Sequence, residues 1–268
     1  MTSAHDVTDL VQLSRTLGEP ERRLAILAEG NTSQRVAEDQ LAVKTTGRSL
    51  RYASAADFVL VSLRRLSEIV DDSEAGDADV ARYFDEIEAE QGMRPSVEAL
   101  LHVVCVVDAG AKTVAHTHPE SVNALLCSDR ADVLAGPPIF PDQVVVIGRR
   151  ALLVPYLDPG VVLAREVRVR LAAHAREWGM PRVIYLQNHG LVVLGSSAGQ
   201  ALQLTEMADK VSRVVAAALA LGNVVPMTDE STERIDTRDD EQIRRIALAR
   251  ATLQQPATSE KDVGDPRS

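Results

Sequence analysis

The stretch Val114-Ala115-His116-Thr117-His118-Pro119 carries the strongest structural signal in this chain. It predicts a short strand that ends at a proline, and because side chains alternate between the two faces of a strand, His116 and His118 project from the same face. Two neutral imidazoles side by side can chelate one divalent cation. A catalytic zinc ion takes about three protein ligands and keeps one position open, so a third ligand is expected elsewhere.

His189 is the candidate third ligand. It lies between the apolar runs Val183–Leu186 and 191–194, which predict a hairpin whose turn projects the imidazole sideways. Glu98 is the candidate carboxylate beside the metal. A lone His-x-His pair is weak evidence, because about half of such pairs are hydrogen-bonded polar residues or chance. Three of the six histidines fall in two short motifs between apolar runs, and this favours a metal site.

Composition bounds the class of protein. The chain has 268 residues, of which 45% are hydrophobic and only 3% aromatic, so Ala, Val and Leu must fill the core. It contains no run of about 18 uncharged apolar residues and begins without a secretory signal pattern, so we expect a cytoplasmic protein without a membrane span. The net charge of −10 argues against a nucleic-acid partner. Cys105 and Cys127 lie in apolar helical patterns and are expected to be reduced core residues.

Hydrophobic periodicity and turn residues predict alternating helices and strands. In the first half of the chain, helices are predicted over 7–27 with a break at Glu19-Pro20, within 71–92, and from Pro95. The helix from Pro95 has Ser96 as N-cap and Glu98 in its first turn. Further helices are predicted over 120–127 and 161–178, from Ser196 or Ser197 to Gly222, and within 234–253. Strands are predicted within 41–47, where the strand runs into a turn, over 55–61 after a helical start, and over 144–147, 152–154, 183–186 and 191–194. No domain boundary is evident: 1–228 forms one domain, 229–253 a helical extension, and 254–268 a disordered tail.

Two turns rich in small residues precede the histidine strand. Residues 30–33 and 44–47 place short polar groups and glycines beside open backbone amides, which could together hold a phosphate or several hydroxyls. From these residues alone the simpler interpretation, two ordinary turns, is favoured. Glu98 and His102 lie four residues apart on one helical face. We interpret His102 as a hydrogen-bonded core residue and Glu98 as functional rather than only a partner of the helix dipole.

As an ordered set, these motifs resemble those of the class II aldolase/adducin family, the group of fuculose-phosphate aldolase, rhamnulose-phosphate aldolase and ribulose-phosphate 4-epimerase. The matching pieces are Gly30-Asn31-Thr32-Ser33, Lys44-Thr45-Thr46-Gly47, Pro95-Ser96-Val97-Glu98 with His102, His116-Thr117-His118-Pro119, Pro155-Tyr156 with Pro159-Gly160, and Asn188-His189-Gly190 with 191–195. They cover about residues 8 to 225. The resemblance implies a three-layer α/β/α domain around a largely antiparallel sheet, and a homotetramer with active sites between subunits.

The resemblance also implies residue roles. His116, His118 and His189 match the ligands of Zn²⁺, with Mn²⁺ or Co²⁺ as alternatives, and Glu98 matches the catalytic carboxylate. The residues that match the family's phosphate-binding positions are Asn31, Thr46, Gly47 and Ser96. Two departures stand out. The family's second serine before the glutamate is Val97 here, and the tyrosines of fuculose-type aldolases are absent: the loop after the histidine strand offers Phe140 and Asp142, and no aromatic residue follows Tyr185.

Asp142 lies near the position where the 4-epimerase carries an acidic residue, so it is the second candidate catalytic group. The general acid is otherwise unassigned. In this chemistry zinc acts as a Lewis acid on the hydroxyl and carbonyl oxygens of a ketose-like substrate, and a nearby carboxylate moves the proton at carbon as an enediolate forms.

We therefore expect a zinc-dependent aldolase of carbohydrate metabolism that cleaves a small sugar phosphate or a related hydroxy-ketone. The alternative enzyme activities are those of a ribulose-phosphate-type 4-epimerase and an oxo-acid phosphate decarboxylase, because both use the same kind of metal site to stabilise the same kind of intermediate. A sugar-acid derivative is therefore also a candidate substrate. The alternative outside enzymes is a non-catalytic, adducin-like module. Retention of all three histidines and of Glu98 argues against that last interpretation.

Overall fold

The structure, a computed structural model, describes residues 6–250. A seven-stranded mixed sheet forms the centre of this part of the chain. The strands are β1 Asn31–Ala37, β2 Gln40–Lys44, β3 Phe58–Ser62, β4 Thr113–Thr117, β5 Leu152–Val154, β6 Val183–Leu186 and β7 Gly190–Gly195. Their order across the sheet is β3-β2-β1-β4-β7-β6-β5. All neighbours are antiparallel except β5 and β6, so the expected largely antiparallel α/β fold is confirmed.

Ten α-helices surround the sheet within the described residues. They are α1 Thr8–Leu17, α2 Leu63–Asp71, α3 Asp77–Gln91, α4 Ala99–Val107, α5 Glu120–Leu126, α6 Pro141–Val146, α7 Val161–Trp178, α8 Ala198–Leu221, α9 Asp229–Thr237 and α10 Asp239–Arg250. Ser197 caps α8 by accepting a hydrogen bond from the backbone N–H of Gln200, as its position predicts. Between residues 6 and 250, no helix is long and apolar enough to cross a membrane.

Each face of the sheet buries its own core, which gives the three layers. Along β4, Val114 packs into a cluster with α2, α3, α4 and α7, whereas Ala115 packs into a second cluster with α1, α5 and α8. Every residue of β4 is buried, as expected for a central strand covered on both faces. Because side chains alternate, His116 shares the face of Val114 and points to the layer that contains α4.

The start of α4 differs from the prediction. The helix begins at Ala99 rather than at Pro95, so Glu98 is its N-cap residue instead of a first-turn residue, and Ser96 does not cap it. The reason is that residues 94–96 extend beside the end of β2. The backbone of Ser96 donates to the Lys44 carbonyl at 3.0 Å, and Thr46 donates to the Arg94 carbonyl at 3.1 Å. This pairing holds the segment extended and brings Ser96 and Glu98 beside Asn31 at the start of β1.

Several other predictions about local structure were wrong or incomplete. In the segment 144–147, predicted as a strand, residues 144–146 belong to helix α6, which begins with Pro141 in the first turn, a position that suits proline. Cys127 is exposed after α5 although Cys105 is buried, and both thiols are free. The helix α2 was not predicted. The C-terminal segment contains two helices instead of one, and the predicted tail 254–268 lies outside the described residues.

Candidate metal centre

Three histidines from two neighbouring strands meet at one end of the sheet. His116 lies in β4 and His118 directly after it, and the antiparallel pairing of Thr117 with Leu191 brings the β6–β7 turn, with His189, beside them. The ring centroids lie 4.7 Å, 4.9 Å and 5.3 Å apart. One ligand nitrogen from each ring lies within 4.8 Å of the others. The cluster therefore has the composition and size of a three-histidine metal site.

The turn that carries His189 depends on two positions that few residue types can occupy, Asn188 because of its backbone conformation and Gly190 because of the space around it. Asn188 has a φ of 55°, in the left-handed region that asparagine tolerates better than most residues. Gly190 follows, and a Cβ atom there would stand 2.6 Å from Cδ2 of His118 and 3.2 Å from Cε1 of His116. A side chain at Gly190 would therefore collide with both imidazoles, so glycine is what lets β7 approach the cluster.

Second partners indicate which nitrogen faces the centre in two of the three rings, His116 and His118. Nδ1 of His116 lies 3.0 Å from the carbonyl oxygen of Leu191, so this nitrogen must carry the proton and Nε2 keeps its lone pair. Nδ1 of His118 lies 3.4 Å from Oε2 of Glu29, which favours the same tautomer. The two Nε2 atoms are then 2.9 Å apart with their lone pairs facing each other. Either a proton shared between the two nitrogens or a cation bound between the rings relieves the repulsion of the lone pairs.

Glu98 closes the fourth side of the cluster. Its Oε1 lies 3.0 Å from Nε2 of His189 and 3.3 Å from Nε2 of His116, and it is buried without a hydrogen-bond donor among the described residues. Its Oε2 accepts a hydrogen bond of 2.7 Å from Nδ2 of Asn31. Three imidazole nitrogens and one unpartnered carboxylate oxygen form a donor set that fits zinc, and also fits manganese or cobalt.

The electrostatics favour the metal-binding form of two groups in the cluster, His118 and Glu98. Burial by itself lowers the pKa of His116, but Glu98 outweighs it and raises that pKa. Burial and the neighbouring His116 and His189 lower the pKa of His118 to about 3, so this imidazole is neutral at physiological pH. Burial by itself raises the pKa of Glu98, but the proximity of His116 and His189 outweighs it and holds the pKa well below its usual range. The carboxylate is therefore ionised.

His102 stands outside the cluster. It is fully buried one turn after Glu98, its Nδ1 lies 2.7 Å from the hydroxyl oxygen of Ser33, and burial lowers its pKa to about 3. The expectation that His102 is a hydrogen-bonded core residue agrees with this placement.

The predicted phosphate-binding residues fall into two groups. Asn31 and Ser96 are buried and hydrogen-bonded to each other, with 3.1 Å between Nδ2 and Oγ. Thr46 and Gly47 lie on the exposed turn after β2, and Gly47 has a φ of 71° with open space around its Cα. The pairing of residues 94–96 with the end of β2 joins the two groups.

Two residues near the site were not singled out from the sequence. Lys44 has only 1% of its surface exposed. Its ammonium group donates to the carbonyl oxygens of Thr45 and Arg48, so it stabilises the turn after β2 from the buried side. A lysine at the end of an apolar strand is the signal that could have identified it. Glu29, beside His118, has no comparable sequence signal, because its role depends on the fold of the loop before β1.

Asp142 is not part of the cluster within this chain. It lies in the first turn of α6 with 40% of its side chain exposed, 3.5 Å from Nζ of Lys210 and 3.2 Å from the guanidinium of Arg244. None of the three histidines is among its hydrogen-bond or ion-pair partners in the described part of the chain. Its predicted catalytic role stays a prediction.

Comparison with known proteins agrees with this architecture. The chain is 28% identical over 208 residues to 3-oxo-tetronate 4-phosphate decarboxylase of Haemophilus influenzae, a match that covers 76% of this chain and 84% of that protein. It is 26% identical over 208 residues to YuxG of Bacillus subtilis, named an uncharacterized oxidoreductase. That match covers 74% of this chain but only 28% of YuxG, so the chain spans about a quarter of the length of that relative.

Among solved structures, YgbL of Klebsiella pneumoniae, a putative aldolase/epimerase/decarboxylase, superposes with a TM-score of 0.62 at 22% identity. The superposition covers 85% of this chain and 95% of YgbL, and it shows a shared fold. The sequence pattern of the family described as Class II Aldolase and Adducin N-terminal domain matches residues 8–216, which include the sheet and all three histidines. The chain therefore belongs to the class II aldolase/adducin family.

Proposed function

We propose that this protein is a divalent-metal-dependent lyase of the aldolase type, which breaks a carbon–carbon bond beside the carbonyl group of a small sugar phosphate or related hydroxy-ketone. The observation that carries the proposal is the convergence of three histidine nitrogens with the unpartnered carboxylate oxygen of Glu98. We propose zinc as the ion, with manganese or cobalt as alternatives, held by His116, His118 and His189.

When bound, a divalent ion would supply Lewis-acid stabilisation of the negative charge that develops on substrate oxygens as the bond breaks. The chain supplies the proton transfers. In an aldol cleavage a substrate hydroxyl loses its proton and becomes the carbonyl of the leaving aldehyde, and the bond's electron pair stays with the carbon beside the remaining carbonyl. That carbon must then take up a proton. We assign this step to Glu98, whose Oε1 faces His116 and His189. Because the carboxylate is ionised, it first takes up a proton, from the substrate hydroxyl or from water, and then delivers a proton to the carbon.

The turn after β2 suits the substrate's phosphate. Gly47 leaves open space for an anion to approach the backbone, Thr46 is exposed beside it, and Ser96 borders the turn through the pairing with β2. The buried ammonium group of Lys44 lies directly beneath and adds positive potential. These features support a phosphorylated substrate.

A second candidate is decarboxylation of an oxo-acid phosphate. It is favoured by the similarity to the decarboxylase of Haemophilus influenzae over most of that protein's length. A second argument points the same way, since none of the residues after Tyr185 in this sequence is a tyrosine that could serve an aldehyde oxygen. Loss of carbon dioxide needs no such group. The 4-epimerase alternative requires a second acid/base on the other side of the substrate, for which Asp142 is the candidate.

The experiment is a panel of ketose phosphates and 3-oxo sugar-acid phosphates incubated with the zinc-loaded protein. Release of an aldehyde and dihydroxyacetone phosphate supports aldol cleavage, release of carbon dioxide supports decarboxylation, and inversion of a hydroxyl without net cleavage supports epimerisation. No reaction with any member, in a protein that binds zinc fully, would contradict the proposed lyase and favour a non-catalytic, adducin-like role.

We propose further that the protein works as a cytoplasmic homotetramer. The family resemblance supports this, and so do exposed apolar side chains such as Val162 and Val169, which lie seven residues apart on one face of α7 with 59% and 65% of their surface exposed. Light scattering at micromolar concentration tests the assembly. A monomer would contradict it.

A further inference from the structure

The C-terminal helices α9 and α10 lie beyond residue 216, where the match to the family pattern ends. They contact one continuous stretch of the domain, the proline-rich loop and the helix α6 that follows it. The backbone N–H of Met227 donates to the carbonyl oxygen of Pro138 at 2.8 Å. Ile235 packs with Val144 and Val145 in a small apolar cluster that is separate from the two large ones. The extension therefore holds both the loop and the helix.

Two neighbouring arginines of α10 contact the two ends of α6. Nε of Arg245 donates to the carbonyl oxygen of Val145 at 3.2 Å, in the last turn of the helix. The guanidinium of Arg244 lies 3.2 Å from Oδ1 of Asp142, in the first turn. Carbonyl oxygens in the last turn of a helix lack intrahelical donors, and a positive charge there is favourable. One helix of the extension thus supplies partners to both ends of α6.

The domain itself contributes a second guanidinium at the same place. Nη1 of Arg182, just before β6, lies 3.3 Å from the carbonyl oxygen of Val145 and 3.0 Å from that of Val146. Burial and the nearby Arg245 lower the pKa of Arg182. Two cations that share a carbonyl oxygen repel each other, and Asp236 of α9 offsets this repulsion, with its Oδ1 2.8 Å from Nη2 of Arg245. Both helices of the extension are therefore needed at this end of α6.

The sequence of α6 gives it little tendency to be helical by itself. The helix has only six residues, and three of them are the consecutive valines 144–146. Valine loses side-chain freedom in a helix, and a helix this short does not outweigh the cost of its nucleation. Its conformation must therefore come from the elements that pack on it, which include α8, α9 and α10.

We propose that α9 and α10 form a clamp that holds residues 141–146 in the helical conformation and fixes Asp142 at the start of that helix. When the clamp is released, α6 loses its helix. The strands that carry the three histidines keep their structure, because they belong to the two large apolar clusters and not to the small one around Ile235. This proposal concerns the conformation of the chain, so it stands or falls independently of the proposed function.

Hydrogen–deuterium exchange of the full-length chain, measured by mass spectrometry, tests the clamp. Arg245→Met retains the aliphatic stem and removes the guanidinium, whereas Ile235→Ala removes the apolar contact. In both variants, amide exchange in peptides that cover 141–147 should become faster by roughly tenfold or more, because local opening becomes easier. Exchange in peptides that cover β4 and β7 should change by about twofold or less.

Arg238→Met is the matched control, because it removes an exposed arginine of the same extension that pairs with Asp240 at the surface. It should leave exchange in 141–147 at the wild-type rate. Unchanged exchange of 141–147 in both Arg245→Met and Ile235→Ala would overturn the proposal. An equal acceleration in β4 and β7 would also overturn it, because the contacts would then stabilise the whole domain instead of one segment. If Ile235→Ala does not fold, Arg245→Met decides the outcome.

Discussion

Gly190 lies so close to His118 that a Cβ atom on Gly190 would stand 2.6 Å from Cδ2 of the imidazole. The same atom would stand 2.7 Å from the carbonyl oxygen of Thr117, which is part of the sheet and cannot move far. The geometry of the cluster thus depends on a position without a side chain, where β7 passes β4 beside the three histidines.

We predict that Gly190→Ala displaces the imidazoles and weakens zinc binding by roughly tenfold or more, and lowers the free energy of unfolding by about 1–3 kcal/mol through overpacking. Chelator competition and urea unfolding measure the two effects. Gly76→Ala is the matched control, because a Cβ there meets nothing within 4 Å, and it should leave zinc binding unchanged. Wild-type zinc affinity in Gly190→Ala would show that the cluster tolerates the displacement or does not bind the ion.

A second prediction concerns Glu98, which occupies the N-cap position of α4 but makes no capping hydrogen bond through its side chain. Glu98→Gln preserves the shape and removes the titratable group. With excess zinc present, we expect the variant to stay folded and metal-bound but to slow proton transfer by roughly a hundredfold or more. Turnover and exchange of the carbon-bound proton with solvent deuterium are the measurements. Normal turnover and exchange would assign Glu98 a structural role.

A third prediction concerns Lys44. Burial lowers the pKa of Lys44 from 10.5 to about 8. Below pH 8 both the folded and unfolded states hold the proton, and the folded state carries the full cost of the buried charge. Between about pH 8 and 10.5 the folded state releases the proton while the unfolded state keeps it, so the stability of the wild type rises with pH in this window by up to roughly 3 kcal/mol.

In Lys44→Met this rise should be missing. Urea unfolding of both proteins at pH 7, 8.5 and 10 gives the difference, in which the other titrating groups cancel. Lys112→Met, which replaces an exposed lysine, should retain the wild-type pH profile. Parallel profiles for wild type and Lys44→Met would contradict the assigned effect of burial.

A fourth prediction separates the two interpretations of Asp142. If Asp142 acts as a second acid/base, Asp142→Asn should reduce turnover by roughly a hundredfold. The change in stability should stay below about 1 kcal/mol, because the ion pairs of Asp142 with Lys210 and Arg244 are half-exposed. Lys210→Met breaks one of those pairs without touching the carboxylate and serves as the control. Unchanged turnover in Asp142→Asn would restrict Asp142 to its surface ion pairs.

Much of the fold could be predicted from local patterns. The strands β6 and β7, the helix α7 with its exact bounds, and the Ser197 cap of α8 all follow from periodicity and turn residues. The start of α4 could not, because residues 94–96 are held extended by the end of β2, some 50 residues earlier in the chain. The β-branched residues of α6 favoured a strand, and only packing against α8 and the C-terminal helices makes that segment helical.

The site was predictable to a similar degree. The side-chain alternation of β4 and the β6–β7 turn place the three histidines together without further information. The hydrogen-bond partners in the site could not be predicted. The contacts of Glu29 with His118, of the Leu191 carbonyl with His116 and of the Asn31 amide with Glu98 depend on strand register and loop path.

Metal content of the purified chain tests the central claim most directly. Elemental analysis of the wild type should find about one divalent ion, most often zinc, per chain, and His118→Ala should lose most of it because one of three ligands is removed. His174→Ala, which removes a histidine of α7 outside the cluster, should retain the wild-type content. The account predicts this contrast between the two histidine variants. Full metal occupancy in His118→Ala would contradict the three-histidine site.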